Sequence, residues 1–552
     1  MPSIAFVGAG PTTLYALNAL HKHGVGGAEI TVFEAQASAG LGTPYRTEWN
    51  DAAMLSNIAS AEIPPLTETL LGWLQGLSTA ELDDLGVDIA KVDDRTFVPR
   101  VVLGRYFESQ FASLVDRMAE AGVRIAVRTD SRVVDVINHP YGMELVLSSL
   151  DVEPTSALFD HVVLATGHQW PSRQEIRPGY FASPWPATSL TRIAATEIGV
   201  RGSSLTAIDA AVALAGAHGA FIRQGDDLTF QPGPDADGFR MTLMSRKGLL
   251  PEADYFFPLP HRPLEICSEA AISRLIASGS DSLLDDVFEL FRCELQRVDP
   301  AYARATGLNQ ATLEQFGEAY FLPRMGIDPF DWAATNLAEA RANHATQTTV
   351  PWRDAILRMH EGVAAIVPHL DGPSFQRFSR HFKPVFVDCY GAVPHESVER
   401  MLALHRADRL SILALGNDYR IDTHCSEGGA CLIQGAVSRH FAVFIEATGQ
   451  RPLGAIQFPF LSLLEQGIVR DEASADPTGS SRGIAIDELF RPVTQALPAD
   501  RLFCLSLPFI MGRHPFVQGI TSSREIGEIV GRRLANVVAS HASAVDILRA
   551  VS

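Results

Sequence analysis

The chain has 552 residues, of which 46% are hydrophobic and 20% are charged, and its formal net charge at pH 7 is -19. This length suffices for about two or three domains with sizeable cores. The acidic balance argues against a nucleic-acid-binding surface, because phosphate contacts need a basic face. No apolar run reaches the ~20 residues of a membrane span, and the N-terminus lacks the basic start of a signal peptide. We therefore expect a cytoplasmic protein that binds no membrane.

The N-terminus has the pattern of a strand, a glycine turn and a helix, in residues 4–17 (IAFVGAGPTTLYAL). Four apolar residues predict a buried parallel strand, and the later leucines lie on one helix face. Gly8 and Gly10 let the backbone turn sharply and approach a pyrophosphate at the helix N-terminus. Thr13 stands where the fingerprint G-x-G-x-x-G has its third glycine. The pattern predicts a dinucleotide-binding turn.

A second predicted strand, residues 29–34 (EITVFE), ends in Glu34. In dinucleotide-binding folds an acidic side chain at this strand end binds a ribose hydroxyl. We expect this role for Glu34, and the alternative is a solvated acid at a strand end.

Residues 198–209 (IGVRGSSLTAID) repeat the strand-turn-helix pattern in the middle of the chain. Gly202 is kept for the bend, while Ser204 and Ala207 replace the second and third glycines. Both replacements are small enough for close approach of a phosphate and for helix packing. The segment predicts a second dinucleotide-binding turn.

The strand predicted after this turn ends in Ser245 and Arg246. A serine and an arginine there can bind a 2′-phosphate, which an acidic residue would repel. We therefore predict NADPH rather than NADH, and the alternative is that Arg246 is a solvated loop charge. The unusually long distance from Gly202 to Arg246 is explained by an insertion over residues 219–238.

Cysteine usage predicts neither a disulfide framework nor a metal site. Six cysteines are scattered along the chain, and only Cys425 and Cys431 lie close in sequence. Their spacing matches neither a C-x-x-C redox turn nor a zinc site, so we expect free thiols. The sequence has no H-E-x-x-H motif and no tight His/Cys cluster, so no metal ligand is predicted.

Two further strands, in residues 160–168 (DHVVLATGH) and 441–450 (FAVFIEATGQ), both end in Ala-Thr-Gly. Together with the two glycine turns, they resemble the flavoproteins with two dinucleotide-binding domains. Within that group the chain resembles bacterial proteins related to the class B flavin-dependent monooxygenases, which include amino-acid N-oxygenases. The same resemblance extends over residues 41–45 (LGTPY), 55–59 (LSNIA), 97–106 (FVPRVVLGRY), 199–209 (GVRGSSLTAID), 245–251 (SRKGLLP) and 515–519 (PFVQG).

The resemblance implies an α/β fold with two Rossmann-like dinucleotide-binding domains, for FAD and NADPH, and a helical insertion. Helical patterns dominate residues 268–382, which we expect to cover the site as a substrate lid. The disulfide reductases of this architecture need a cysteine pair soon after the acidic residue that corresponds to Glu34. Residues 35–60 contain no cysteine, so we do not expect a disulfide reductase. The expected domain order is FAD-binding 1–190, NADPH-binding 191–267, helical insertion 268–382, NADPH-binding 383–450 and FAD-binding 451–552.

The same resemblance implies which residues contact the cofactors. The first turn, the strand end at Glu34, Arg100 and the first Ala-Thr-Gly would bind FAD, and Gln518 precedes a helix that faces the flavin. The second turn, the Ser245–Arg246 pair and the second Ala-Thr-Gly would lie near NADPH. The cofactor-binding candidates are Gly8, Gly10, Pro11, Thr13, Glu34, Arg100, Thr166, Gly167, Gly202, Ser203, Ser204, Thr206, Ser245, Arg246, Thr448, Gly449 and Gln518.

Asn57, Arg100, Lys383 and His395 are the candidate catalytic residues. Asn57 would approach the flavin ring, and Arg100 would hold a cofactor phosphate or a substrate carboxylate. Lys383 and His395 offer further cationic partners for a carboxylate. For each residue the alternative is structural: a turn asparagine, an ion pair, or an ordinary surface or core side chain. We expect His168 to lie at a domain seam rather than to act as a base.

The expected activity is oxygenation of a nitrogen in a small polar amine or amino acid, with NADPH and molecular oxygen as co-substrates. The cofactors carry the redox chemistry, and the protein supplies orientation and a dry pocket. Two alternatives stay open: an NADPH-dependent flavin reductase or dehydrogenase without oxygen insertion, and a non-catalytic FAD-binding sensor. Homo-oligomerisation also stays open.

Overall fold

The computed structural model describes residues 1–148, 155–171, 173–472, 481–517 and 519–551, with residues 542–551 described by their backbone. These residues divide into two compact units. The first unit comprises Met1–Thr47, Ile58–Gln169 and Gln450–Ser552, and the second comprises Glu48–Asn57 and Trp170–Gly449.

The strands occur in both units. In chain order they are β1 (Ser3–Val7), β2 (Glu29–Phe33), β3 (Arg124–Arg128), β4 (Val133–His139), β5 (Gly142–Leu147), β6 (Thr155–Phe159), β7 (His161–Leu164), β8 (Glu175–Arg177), β9 (Tyr180–Phe181), β10 (Glu197–Arg201), β11 (Gly219–Gln224), β12 (Asp227–Pro232), β13 (Arg240–Ser245), β14 (Leu410–Ala414), β15 (Arg420–Asp422), β16 (Ala430–Gln434), β17 (Val437–Phe441), β18 (Val443–Glu446) and β19 (Leu502–Cys504).

The helices include a run that fills the middle of the chain. In chain order they are α1 (Pro11–His23), α2 (Leu70–Gly76), α3 (Thr79–Asp84), α4 (Arg100–Glu120), α5 (Leu205–His218), α6 (Glu269–Ser278), α7 (Leu283–Val298), α8 (Pro300–Ala305), α9 (Leu313–Met325), α10 (Pro329–Thr346), α11 (Pro351–Ala364), α12 (Gly372–Arg377), α13 (Lys383–Tyr390), α14 (His395–Arg406), α15 (Leu461–Glu465), α16 (Leu507–Ile510) and α17 (Ile520–Val551).

The first unit is built on a five-stranded parallel sheet with the order β19-β7-β1-β2-β3. Its central strand β1 is apolar and almost completely buried, as expected for a parallel strand covered on both faces. A separate antiparallel sheet, β4-β5-β6, belongs to the same unit. The order of the parallel strands places the glycine turn after β1 between its neighbours β2 and β7.

Helices α1 and α17 pack closely in the first unit because small residues line their contact. A methyl group added to Gly531 would lie 2.4 Å from the carbonyl oxygen of Ala16, and one added to Gly527 would lie 2.7 Å from the Ala16 nitrogen. The long C-terminal helix therefore holds the helix that begins at the first glycine turn.

The second unit contains a six-stranded sheet with the order β14-β13-β10-β18-β9-β8, parallel except for the edge strand β8. Strand β10 leads into the second glycine turn and α5. Residues 219–238, predicted as an insertion, include the hairpin β11-β12. The sheet resumes at β13, which explains the separation between Gly202 and Arg246.

Helices α6–α13 follow one another between β13 and β14. Their core is aromatic, with edge-to-face contacts that join Phe291 to Phe316, Phe382 and Phe386. A π-helix, Phe378–Phe382, supplies one of these rings. The helical character predicted for residues 268–382 is present, and the run of helices continues to Tyr390.

The two parallel sheets, each with a strand-turn-helix at its centre, confirm the predicted α/β fold class. Two boundaries differ from the prediction. The first unit ends at Gln169 rather than at residue 190, because β8 and β9 pair within the second sheet. Residues 48–57 also belong to the second unit, since Ala187 N donates to the Trp49 carbonyl at 2.9 Å. None of the described helices has both the length and the apolar character needed to span a bilayer.

Candidate cofactor-binding sites

The first glycine turn joins β1 to α1, and its two glycines meet different demands. Gly8 has a φ of +96°, and a Cβ there would lie 2.3 Å from the Ala165 carbonyl oxygen at the end of β7. Gly10 is the N-cap of α1 with an extended backbone, φ -80° and ψ -174°. A Cβ at Gly10 would meet only Gly42, at 3.3 Å. Gly8 is thus required by the fold, whereas Gly10 keeps the space in front of the helix open.

The first turn of α1 is open to an anion. No side chain caps this helix, and Pro11 at its start has no N–H to satisfy. Free N–H groups and the helix dipole favour a phosphate at such a terminus. Thr13 is completely buried, and its hydroxyl donates to the Gly8 carbonyl at 2.6 Å. Thr13 therefore fixes the turn from beneath, which differs from the predicted position at the pyrophosphate.

The carboxylate of Glu34 links the end of β2 to the glycine turn. One oxygen accepts from Ala9 N at 3.0 Å, and the other accepts from Gln36 N at 3.0 Å. Arg46 Nη2 lies 3.2 Å from Glu34 Oε1 and also donates to the Ser38 carbonyl. This ion pair is buried and was absent from the sequence prediction. The only signal for Arg46 was its place directly after the LGTPY block.

The first Ala-Thr-Gly stands at the end of β7, beside the end of β19. Thr166 donates its backbone N–H to Ser506 Oγ at 3.2 Å, and the two hydroxyls are 2.8 Å apart. Gly167 has a φ of +69° and open space where a Cβ would be. Ser506 was not predicted, because it follows β19 more than 300 residues later. Gln518 lies outside the described residues.

Arg100 is the first residue of α4, and its charge acts on two neighbours. Burial, with a smaller contribution from the Arg100 guanidinium, lowers the pKa of His168 to about 4. Burial raises the pKa of Tyr45 to about 12, although Arg100 opposes that shift. His168 is therefore neutral at physiological pH.

The second glycine turn joins β10 to α5 in the second unit. Gly202 has a φ of +135°, and a Cβ there would lie 2.3 Å from the Ala447 carbonyl oxygen. Arg201, directly before it, binds both carboxylate oxygens of Glu446 at 3.1 and 3.2 Å. No side chain caps α5, and Ser204, its N-cap, is exposed. This turn therefore has the same open helix terminus as the first.

Ser203 and Ser245 hold the loop that follows β13. Ser203 Oγ donates to the Leu249 carbonyl at 2.6 Å and lies 2.9 Å from Ser245 Oγ. Ser245 Oγ also accepts from Gly248 N at 3.2 Å. These contacts join the second turn to the end of β13, where the predicted 2′-phosphate site lies.

Arg246 is exposed, and its side chain makes no hydrogen bond or ion pair within the described part of the chain, although its backbone carbonyl accepts from Gly416 N at 2.9 Å. Its neighbour Lys247 instead lies over the Phe321 ring, with Nζ 4.0 Å from the centroid. Thr206 lies in the first turn of α5, and its hydroxyl would be 3.8 Å from a Cβ added to Gly449. The second Ala-Thr-Gly, with exposed Thr448, therefore ends near the second turn.

The four candidate catalytic residues are divided between the units. Arg100 belongs to the first unit, whereas Asn57, Lys383 and His395 belong to the second. Asn57 is exposed in a bend. Lys383 begins α13, and burial lowers the pKa of its ammonium group. His395 Nε2 is 2.8 Å from the Asp254 carbonyl oxygen, so that nitrogen already has a partner.

Comparison with known proteins identifies the family of this chain. The FAD-NAD(P)-binding family matches residues 5–169, and the YdhS-like middle domain matches residues 268–390. The uncharacterized protein YdhS of Escherichia coli (strain K12) is 39% identical over 536 residues, which cover 96% of this chain and 97% of that protein. The chain belongs to the YdhS family. Its YdhS-like middle domain coincides with helices α6–α13.

Solved structures with the fold of this YdhS-family chain include ornithine hydroxylases and a lysine monooxygenase. Ornithine hydroxylase PvdA from Pseudomonas aeruginosa matches with a TM-score of 0.50 and 12% identity, covering 97% of this chain and 99% of that one. Ornithine N-hydroxylase KtzI from Kutzneria sp. 744 has a TM-score of 0.50 and 12% identity, covering 98% and 99%. L-lysine 6-monooxygenase from Pseudomonas syringae has a TM-score of 0.50 and 13% identity, covering 98% and 99%.

The first unit of this YdhS-family chain thus carries an FAD/NAD(P)-binding domain with the fold of these enzymes. Its residues fit a dinucleotide: the turn at Gly8 and Gly10 brings the backbone close, and the uncapped helix α1 offers N–H groups to phosphate. The predicted resemblance to FAD/NAD(P)-binding proteins is confirmed, and the predicted fold is shared with these monooxygenase structures.

Proposed function

We propose that this YdhS-family protein is an FAD- and NADPH-dependent monooxygenase that oxygenates the nitrogen of a small polar amine or amino acid. The observation that carries the proposal is the pair of glycine turns, each leading into a helix without a side-chain cap. One such turn binds one dinucleotide, so two turns in two units suit a bound flavin and a nicotinamide reductant. The shared fold with ornithine and lysine N-hydroxylases supports the reaction class.

The first unit would hold FAD. Gly8, Gly10 and Pro11 leave the front of α1 open for the pyrophosphate, and Glu34 at the end of β2 lies where a ribose hydroxyl is bound. Glu34 is already oriented by Ala9 N and Arg46. When bound, FAD supplies the redox chemistry and the activation of oxygen, and the protein orients it and excludes water. Thr166 and Gly167 would line the same site from the end of β7.

The second unit would hold NADPH. Gly202, Ser204 and Thr206 form the open terminus of α5, and Arg246 is an exposed cation at the end of β13. A guanidinium can bind a 2′-phosphate through two charge-assisted hydrogen bonds. Ser203 and Ser245 hold the loop in place through their hydroxyl contacts, so the serine that was predicted to bind the phosphate also positions Arg246.

The substrate would be a small polar amine or an amino acid, and in an amino acid the carboxylate needs a cationic partner. Arg100 in the first unit and Lys383 in the second are separate proposals for the cation that binds a substrate carboxylate. The burial that lowers the pKa of Lys383 makes its ammonium group costly to leave without an anion. The substrate amine must lose its proton to act as a nucleophile, so activity should rise with pH over the range in which that amine titrates.

A coupling experiment tests this function. NADPH oxidation and hydrogen peroxide release are measured in parallel across a panel of amino acids and diamines. The substrate should accelerate NADPH oxidation and lower the peroxide released per NADPH, because oxygen then enters product. Stoichiometric peroxide with every compound would favour a reductase that lacks oxygen insertion. Failure of NADPH to bleach the flavin would favour an FAD-binding sensor.

A further inference from the structure

A carboxylate and two imidazoles converge in the second unit, at a place that the nucleotide sites do not use. Asp254 lies in the loop after β13, His344 lies in the last turn of α10, and His395 begins α14. One ligand atom from each of the three side chains lies within 4.8 Å of the other two. We propose that Asp254, His344 and His395 bind a divalent transition-metal ion, for which Zn²⁺ is the best fit.

The separation of Asp254 and His344 suits two ligands of one ion. Asp254 Oδ2 and His344 Nε2 are 3.2 Å apart. Two ligand atoms at bond lengths of about 2.0–2.2 Å, as Zn²⁺ has with nitrogen and carboxylate oxygen, lie about 3.0–3.5 Å from each other. His344 Nε2 is also shielded from solvent and makes no hydrogen bond within the described residues, despite the nearby carboxylate. A metal ion would satisfy both atoms.

His395 has the contact that orients a metal-binding histidine. Its Nε2 lies 2.8 Å from the Asp254 carbonyl oxygen, which accepts only, so Nε2 carries the proton. The lone pair of the neutral ring is then on Nδ1. Metal-binding histidines commonly donate their other N–H to a backbone carbonyl in this way. Asp254 would thus supply a ligand through its side chain and orient a second ligand through its backbone.

The surroundings keep the three groups in place but leave an entry path. The His344 and His395 rings are edge to face at 5.0 Å, and Phe256 packs edge-on against His344 at 5.8 Å. The side chains of His344 and Asp254 are 22% and 17% exposed. Arg341, whose charge acts on His395, is paired with Glu399 and so competes weakly with a metal ion.

The chemistry of this set favours Zn²⁺ with one coordination position left over. Two imidazoles and one carboxylate are borderline-to-hard ligands, which suit Zn²⁺ better than Ca²⁺ or Mg²⁺. Three protein ligands leave a fourth tetrahedral position for water or for a ligand. The ion would also join the loop after β13, α10 and α14, and its binding free energy would add to the stability of the second unit.

Metal binding to the full-length holoprotein tests the proposal. After treatment with a chelator, the protein is titrated with Zn²⁺ by calorimetry, and Co²⁺ is used as a spectroscopic probe. We expect one saturable Zn²⁺ per chain and visible Co²⁺ bands of a low-symmetry nitrogen and oxygen site. Thiolate-to-Co²⁺ absorption would instead place the ion at Cys425 and Cys431, whose sulfurs are 2.7 Å apart, and would overturn the assignment.

Variants give the matched comparison. Asp254→Asn, His344→Gln and His395→Gln preserve size, and each should weaken Zn²⁺ affinity at least tenfold. His261→Ala is the control, because His261 faces Asp354 at 3.9 Å but belongs to no group of three such ligands among the residues that the structure describes. The Zn²⁺ affinity of this variant should stay within twofold of wild type. Absence of saturable binding in the wild type, or equal binding in all four variants, would contradict the site. If a variant fails to fold, the Co²⁺ spectrum of the wild-type protein still tests the site.

Discussion

Gly8 and Gly10 are two positions apart in the first glycine turn, yet replacing them should have different effects, on folding at Gly8 and on ligand binding at Gly10. Gly8 has a left-handed φ and a backbone oxygen within 2.3 Å of an added Cβ, whereas Gly10 has neither constraint. The sequence predicted the turn from both glycines, and it could not separate a folding role from a ligand role. That separation needed the dihedral angles and the position of β7.

Replacement of Gly10 by alanine should therefore act on flavin binding more than on folding. The methyl group would stand before the uncapped α1, where a pyrophosphate approaches. We expect Gly10→Ala to lower FAD affinity at least tenfold while the thermal unfolding temperature of the apoprotein changes little. Gly8→Ala serves as the comparison and should lower both. Unchanged FAD content in Gly10→Ala, measured by absorbance per chain, would contradict the assignment of this turn.

The Arg246 side chain should determine the preference between NADPH and NADH. A charge-assisted contact with the 2′-phosphate is worth about 1.5–3 kcal/mol, or about ten- to a hundredfold. Arg246→Ala should raise the KM for NADPH by that factor and leave the KM for NADH unchanged. Arg192→Ala removes another exposed arginine of the second unit and should change neither value. Equal KM values for both nucleotides in the wild type would refute the prediction.

At the scale of the element, sequence patterns predicted β1, α1, β10 and α5 because their strand-turn-helix signal is local. The pairing of α1 with α17 was not predictable, since it joins residues about 510 positions apart through small side chains. The metal site that we propose could not have been inferred from the sequence for the same reason: Asp254, His344 and His395 are far apart in sequence, and no short motif connects them.

The α1–α17 contact gives a prediction of its own. Gly531→Ala places a methyl group 2.4 Å from the Ala16 carbonyl, and such overpacking costs about 1–3 kcal/mol. We expect a lower unfolding temperature and weaker FAD retention, because α1 carries the first turn. Gly216→Ala in α5 meets no atom within 4 Å and should stabilise by up to ~1 kcal/mol. Equal effects of both substitutions in a thermal melt would show that the two helices do not pack closely.

At the scale of the whole molecule, chain length and the duplicated glycine turn predicted two α/β units. They also predicted that a helical insertion interrupts the second unit. The exact partition was not predictable from local patterns. Residues 48–57 lie between segments of the first unit in sequence, yet Trp49 and Ala53 pair with residues of the second. Short strands such as β9, two residues long, have too little periodicity to be assigned from sequence.

Buried neutral histidines should make the chain sensitive to acid. Burial lowers the pKa of His168 and His514 from 6.5 to about 4. Between those pH values the two histidines bind protons in the unfolded chain but not in the folded chain. The free energy of unfolding therefore falls as pH falls through this window. The denaturant midpoint should drop between pH 6.5 and 4. His514→Gln should flatten that slope, and His424→Gln, an exposed position, should leave it unchanged.

The most direct test of the proposed N-oxygenation follows the oxygen atom itself. Reactions with NADPH and candidate amino acids or diamines are run under ¹⁸O₂, and the products are analysed by mass spectrometry. We predict a product heavier than its substrate by one labelled oxygen atom on nitrogen, formed faster as pH rises and absent without NADPH. NADPH consumption at one rate with and without every candidate, and no label in any organic product, would contradict the monooxygenase assignment.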